Sequence, residues 1–247
     1  MKYLILSDVH ANYQALSKVL QNEHYDEVLY LGDLIGYAAD PYLCYKTFLE
    51  TGGKGVMGNH EYGTLHPEIL GRFSENARKG ILHTIKSIPP AYLTHMATLP
   101  EVLALDNVVL CHAMLGDPLS FQYVFPENKE SLYLAESFQK MKENHHQVMF
   151  TGHTHRPCIF KEKEDRTIEM YLAHDGDLYL DDARYVINAG SVGQSRNGVA
   201  KAHYILYDDQ KKKVSFRSMD YDVKKAAERI FQEGLPEFSG QRLYLGT

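Results

Sequence analysis

Five times within the first 155 residues, a short apolar run ends in a small or polar residue and is followed at once by Asp, Asn or His. YLILSDVH leads to Asp8 and His10, VLYLGD to Asp33, GVMGNH to Asn59 and His60, VVLCH to His112, and VMFTGHTH to His153 and His155. Continuous apolar runs of this length suit strands buried on both faces. The intervening segments carry helical spacing: Ala15, Leu16, Val19 and Leu20 after the first run, and Leu132, Ala135, Phe138 and Met141 before the fifth. The pattern is an α/β layout with helices covering the sheet. In open α/β sheets ligands gather outside the carboxyl ends of the strands, so residues that follow five separate strands converge on one site. Where the backbone stays extended, residues i and i+2 face the same side, which predicts that Asp8 pairs with His10 and His153 with His155.

Composition narrows the classes. Of 247 residues, 44% are apolar and 23% charged, as in an ordinary globular protein able to bury a sizeable core. The opening MKYLILSDVH is too short for a secretory apolar region, and no later run reaches membrane-span length, so the expectation is a cytoplasmic protein without a membrane partner. A formal net charge of -6 argues against stable nucleic-acid binding, which depends on neutralising phosphates with Lys and Arg. Cys44, Cys111 and Cys158 are odd in number and lack any CxxC spacing, which disfavours both a disulfide framework and a thiolate zinc site. They read as buried small hydrophobes, and the mixed-sign run Lys161 to Arg166 reads as a solvated turn.

Between Glu61 and Asn107, Ile81, Ile85 and Ile88 mark helices flanking the mouth of the site. Beyond Arg156 the runs AHYILYD and KVSFRSM form a hairpin pattern, and a helix is expected near Val223 to Phe231. No repeat or low-complexity linker divides the chain, so residues 1–247 are expected to form one domain. The glycine-rich stretch Gly190 to Gly198 has two readings: a cradle of backbone N–H groups for phosphate, with Arg196 adding a charged hydrogen bond, or a turn joining two strands.

Two Asp carboxylates, an Asn carbonyl and several imidazoles, without thiolates, suit divalent ions such as Mn, Fe or Zn and suit calcium poorly. Two such ions about 3.5 to 4 Å apart need a shared ligand, and a carboxylate serves well. Asp33, alone after its run, is the candidate bridge. The ordered series D-x-H, GD, GNHE, CH and GHTH resembles the calcineurin-like metallophosphoesterase superfamily, in a compact prokaryotic branch of phosphodiesterases and phosphatases. The resemblance implies a two-sheet β sandwich flanked by helices, a four-layer α/β/β/α fold. It also implies a first metal on Asp8, His10, Asp33 and His155, a second on Asp33, Asn59, His112 and His153, and His60 as the catalytic histidine near the leaving oxygen. Manganese is the first choice of ion, ahead of iron, zinc, nickel or cobalt.

A water held between the two ions would lose a proton readily and attack phosphorus in line while His60 donates to the leaving oxygen. Glu61 is not expected to orient His60, because neighbours on an extended chain face opposite ways. The block GDLIGYAADP lacks the GD-x-x-DRG form typical of protein serine/threonine phosphatases and of bacterial symmetric diadenosine tetraphosphate hydrolases. Tyr37 and Tyr62, close behind two of the blocks, have two readings, packing or stacking on a nucleobase. With Arg196 they point to a small, nucleotide-type phosphate ester or anhydride as substrate. The alternatives are a phosphoprotein phosphatase and a non-catalytic scaffold or nucleotide sensor. Among the other histidines, His66 and His83 are the two with reach toward the mouth.

Overall fold

The computed structural model describes residues 1–247. In chain order the elements are β1 (Lys2–Leu6), α1 (Tyr13–Asn22), β2 (Glu27–Tyr30), α2 (Pro41–Thr51), β3 (Lys54–Gly55), α3 (Asn59–Leu65), α4 (Glu75–Ser87), α5 (Pro90–Met96), β4 (Val102–Leu105) and β5 (Val108–Cys111). They continue with α6 (Leu132–Glu143), β6 (Val148–Thr151), β7 (Cys158–Glu162), β8 (Ile168–Leu172), β9 (Gly176–Tyr179), β10 (Arg184–Asn188), β11 (Ala202–Asp208), β12 (Lys213–Met219), α7 (Val223–Gln232) and α8 (Glu237–Leu245). Two mixed six-stranded sheets result, in the orders β3-β2-β1-β11-β12-β9 and β4-β5-β6-β10-β7-β8.

The continuous apolar runs have a direct cause in this layering. In β1, Leu4 and Leu6 face α1 and α2 while Ile5 faces the other sheet. In β6, Val148 and Phe150 lie between the sheets while Met149 faces α6. Each strand therefore buries both alternating faces, and polar positions are excluded until the strand ends. On α1, Ala15, Leu16 and Val19 are buried as the spacing predicts. On α6 the buried stripe is Leu134, Ser137, Phe138 and Met141, whereas Leu132 and Ala135 face solvent. The expected stripe was thus displaced, because Leu134 rather than Leu132 meets the sheet at the helix's first turn.

Helices α3, α4 and α5 occupy the stretch where helices were expected, and β11 pairs antiparallel with β12. Parallel pairing aligns β1, β2 and β3 in one sheet and β5, β6 and β10 in the other, so the loops after them share one end of the sandwich. The three cysteines are free and buried, and no helix is long and apolar enough to cross a membrane. Phe150 couples the sheets: it is fully buried, with its ring 5.3 Å from that of Tyr207 on β11. Phe150→Ala is expected to cost about 3–5 kcal/mol of stability, measured by urea unfolding. A loss below about 1 kcal/mol would contradict this account of the inter-sheet core.

Candidate metal centre

The loops that follow the strands are tightly coiled and not extended. Asp8, His10, Ala11, Asp33, Tyr37, His153 and His155 all have positive φ, seven of the twelve non-glycine residues that do. Asp8 and His10, like His153 and His155, do converge, but the extended-chain reason for expecting it is wrong. Successive left-handed residues curl the backbone round the site, a conformation that Asp and His tolerate better than most side chains and that concentrates at functional sites. Asn59 and His60 also depart from a strand end, since β3 stops at Gly55 and both residues open α3.

Four histidines are fixed by the same device, with one ring nitrogen set against a backbone carbonyl and the other turned inward. His10 Nδ1 lies 3.2 Å from the Ile35 carbonyl, His112 Nδ1 2.7 Å from that of Leu31, and His155 Nδ1 2.5 Å from that of Gln194. His153 uses Nε2, 2.8 Å from the Phe121 carbonyl. A carbonyl can only accept, so it fixes the tautomer and leaves a lone pair on the opposite nitrogen. The consequence is a convergence of acceptors. His10 Nε2 and His155 Nε2 approach to 3.0 Å, and Asp8 Oδ1, buried without a hydrogen-bond donor, lies 3.2 Å from His155 Nε2. Asp8 Oδ2 is already occupied by the Ser7 hydroxyl at 2.6 Å and the His153 N–H at 3.0 Å.

Asp33 sits between the two halves. Its Oδ1 accepts from the His60 N–H at 2.8 Å, while Oδ2 lies 3.7 Å from His10 Nε2 and 3.4 Å from His112 Nε2. One oxygen of Asp33 thus faces histidines of both halves, while the other is taken by a backbone N–H. His112 Nε2 is also 3.1 Å from Asn59 Oδ1. Three groups of side chains lie close enough to hold a metal ion: Asp8, His10 and His155; His10, Asp33 and His60; and Asp33, His112 and His153. Facing lone pairs and an orphaned carboxylate oxygen fit divalent cations, which each of these atoms can ligate.

The electrostatics agree. Burial opposes charge on Asp8 and Asp33, but the adjacent histidines, His155 first for Asp8 and His112 first for Asp33, hold both carboxyls below the usual range. Burial also opposes charge on His112, yet Asp33 and Asp8 lift it to about 9, a field that equally favours a bound cation. Burial depresses His10 and His155, and lowers His153 to about 3. His60 falls to about 4, again chiefly through burial. It differs from the other four, because its Nδ1 has no partner and its ring is wedged by packing, 4.7 Å from Tyr37 and 5.8 Å from Phe73. A Cβ at Gly36, itself at φ 87°, would collide with His60 Nδ1. Glycine is needed there for both reasons.

Glu61 has a structural part in the site that sequence reasoning passed over. It does not contact His60, as expected, but the reason is helical geometry and not an extended chain. Its carboxylate accepts from the N–H groups of Asp33 and Leu34 at 2.8 Å each and of Gly58 at 3.0 Å, tying the turn after β2 to the start of α3. Burial and the Asp33 charge raise it to about 7.

The Gly190 to Gly198 stretch braces the first loop. Val192 and Gly193 N–H groups bond the carbonyls of Ser7 and Asp8, Ser191 Oγ donates to Asp8 O, and Asn12 Nδ2 donates to Gly193 O. Two of its amides, those of Val192 and Gly193, thus hold the first loop. Beside the histidines opens a cavity of about 320 Å³ whose lining includes Tyr37, Asn59, His60, Tyr62, Phe121 and Tyr123. Arg196, His66 and His83 do not line it. Tyr37 is only 9% exposed and packs edge-on against His10, whereas the Tyr123 ring stacks on His153 at 3.9 Å. Phe121 and Tyr123 carried no sequence signal, since they lie in an irregular loop without a motif.

Glu61→Gln leaves one oxygen for three N–H donors and turns an NH2 toward the others. The variant is expected to lose about 1–3 kcal/mol in urea unfolding, the usual cost of stranding a buried hydrogen-bonding group. Unchanged stability would mean that the carboxylate does not hold the turn.

A family model described as the calcineurin-like phosphoesterase superfamily domain matches residues 1–212. The chain is 35% identical over 250 residues to an uncharacterized protein of Methanocaldococcus jannaschii, covering 98% of this chain and 97% of that one. Its fold is similar to the crystal structure of a metallophosphoesterase from Sphaerobacter thermophilus, with a TM-score of 0.85, 27% identity and full coverage of both chains. A hypothetical protein from Pyrococcus horikoshii shares the fold with a TM-score of 0.79 at 18% identity, covering 100% of this chain and 98% of that one. Sequence match, fold and the gathered Asp, Asn and His side chains agree: the chain belongs to the calcineurin-like phosphoesterase superfamily.

Proposed function

We propose that the chain is a dinuclear-metal-dependent phosphoesterase acting on small, nucleotide-type phosphate esters or anhydrides. The observation that carries the reading is the convergence of inward-facing imidazole nitrogens on two carboxylate oxygens, Asp8 Oδ1 beside His155 and His10, and Asp33 Oδ2 beside His10 and His112. Asp8, His10, Asp33 and His155 would hold one ion, and Asp33, Asn59, His112 and His153 the other, with manganese first among the ions this donor set accepts. Bound there, the pair would supply Lewis-acid charge for phosphate oxygens and activate a water.

His60, lacking a carbonyl anchor, is assigned to the leaving oxygen. Its ring is neutral at rest, and a phosphate anion alongside opposes the effect of burial and favours the protonated form that donates. The cavity, lined by aromatic rings and opening directly on Asn59, His60 and His153, suits a flat aromatic group such as a nucleobase. Tyr62, half-buried, offers its face there, and Tyr37 holds His10 and His60 in place.

We further propose that residues 1–247 act as one domain, a reading supported by β11 and β12 completing the sheet that β1 begins. The cytoplasmic assignment draws on the three free cysteines.

His60→Ala is expected to lower kcat by about two to four orders of magnitude with metal content retained. The loss should be smaller for nitrophenyl esters than for alkyl esters, since nitrophenolate leaves without protonation. Equal losses on both, or metal lost with the ring, would contradict the assignment.

A further inference from the structure

One of the four carbonyl-anchored histidines is turned round relative to the others. His10, His112 and His155 set Nδ1, the nitrogen nearer Cβ, against the carbonyls of Ile35, Leu31 and Gln194, which turns the distal Nε2 inward. In His153 the distal Nε2 lies against the Phe121 carbonyl at 2.8 Å, so Nδ1 is the atom left for the centre and the far end of the ring points outward. The hold on that far end comes from the stretch between β5 and α6, which is irregular apart from short 3-10 turns at Pro118–Ser120 and Pro126–Asn128.

Little in the backbone fixes this stretch where it meets the site. The N–H groups of Phe121, Gln122 and Tyr123 donate to no backbone carbonyl, and Phe121 sits at φ 49°. Anchors lie on either side: the Leu115 N–H donates to Ser137 Oγ at 3.0 Å, and Val124 is buried in the cluster that holds Leu134 and Phe138 of α6. Between these anchors the side chains make the contacts. The half-exposed Tyr123 lays its ring on the His153 imidazole, with centroids 3.9 Å apart and planes 20° apart, and packs near-parallel to Phe125 at 5.4 Å. Phe121 adds its ring 6.2 Å from His112 and 6.3 Å from His153. An imidazole can swing its plane about the Cβ–Cγ bond, where the torsional wells are broad. A carbonyl at the distal nitrogen fixes one edge of the ring, and a flat ring on its face fixes the plane. Because the Nδ1 lone pair lies in that plane, its aim is fixed with it.

We propose that Tyr123 is a positioning residue. By lying on His153 it fixes the plane of the imidazole and keeps the Phe121 carbonyl against Nε2, and so sets the affinity of the cation position that His153 serves. The proposal rests on the metal-dependent reading of the centre and adds a residue that acts on it only through His153. Leu119, Ser120, Phe121 and Tyr123 also line the cavity beside His60, so the segment that walls the cavity is the one that holds this ligand. Contacts outside the ligands that orient a metal-binding histidine typically change metal affinity by about 10- to 100-fold when removed.

The test is a calorimetric titration of manganese into the full chain after chelator treatment. Tyr123→Leu and Tyr123→Met, two apolar replacements without a flat face, are each expected to weaken one manganese position about tenfold and the other by less than about twofold. Tyr123→Phe, which keeps the ring, should leave both within about twofold of the unaltered protein. In a His153→Ala background, where the position that His153 serves is already impaired, adding Tyr123→Leu should change the remaining affinity by less than about twofold. Melting temperatures report whether each variant is folded. Equal weakening of both positions, no weakening of either, a Phe replacement as damaging as Leu, or a further tenfold loss in the His153→Ala background would overturn the positioning role. Aryl phosphate turnover by the manganese-loaded, unaltered protein tests the other reading separately. Tyr123-dependent binding at one position without turnover keeps the positioning role and loses the phosphoesterase. Turnover by a chain whose manganese affinities ignore Tyr123 does the reverse.

Discussion

Three carboxylates, Asp8, Asp33 and Glu61, are almost wholly buried, and no lysine or arginine forms an ion pair with any of them. Burying a charge without a partner is among the most costly arrangements a fold can contain. Here the compensation comes from oriented N–H groups and from imidazoles: His60 and His153 amides for Asp33 and Asp8, and three loop amides for Glu61. The remaining oxygens, Asp8 Oδ1 and Asp33 Oδ2, face the inner nitrogens of His155, His10 and His112, whose outer nitrogens are set against carbonyls. Groups so arranged could hold a cation, and the surrounding loops are built to keep them in place.

The sandwich supplies what the receptor requires. Parallel strands in both sheets deliver their following loops to one end, and left-handed residues curl those loops so that backbone carbonyls and side chains alternate around the centre. The brace from Gly190 to Gly198 then fixes the first loop from behind, and α7 and α8 clamp the alanines on its outer side. Rigidity of this kind lets a strained conformation persist: the N–H groups of Asp8, His10 and Ala11 donate to the carbonyls of Gly32, Asp33 and Leu34, and that of Asp33 to Glu61.

The strand-and-loop order and the ligand types were legible because both follow from local chemistry. Apolar runs mark strands buried on two faces, and Asp, Asn and His at their ends mark where polarity is first allowed. What the sequence did not disclose depends on backbone. The carbonyls of Ile35, Leu31, Gln194 and Phe121, which set each tautomer, belong to residues whose side chains say nothing of it. Asp8 with His10, and His153 with His155, were paired correctly for a reason that fails, since the spacing of two works here through curled and not extended chain. Glu61 was dismissed on the same assumption, and its part in holding the Asp33 turn emerges only once Asn59 is seen to open a helix.

On the proposed reading one carboxylate, Asp33, organises two cation positions at once. Elemental analysis of the purified protein after loading with manganese and gel filtration tests it most directly. The account predicts about two ions per chain in the unaltered protein, loss of most metal in Asp33→Ala, and loss confined mainly to one position in His10→Ala. Retention of about two ions at full occupancy in Asp33→Ala would contradict it.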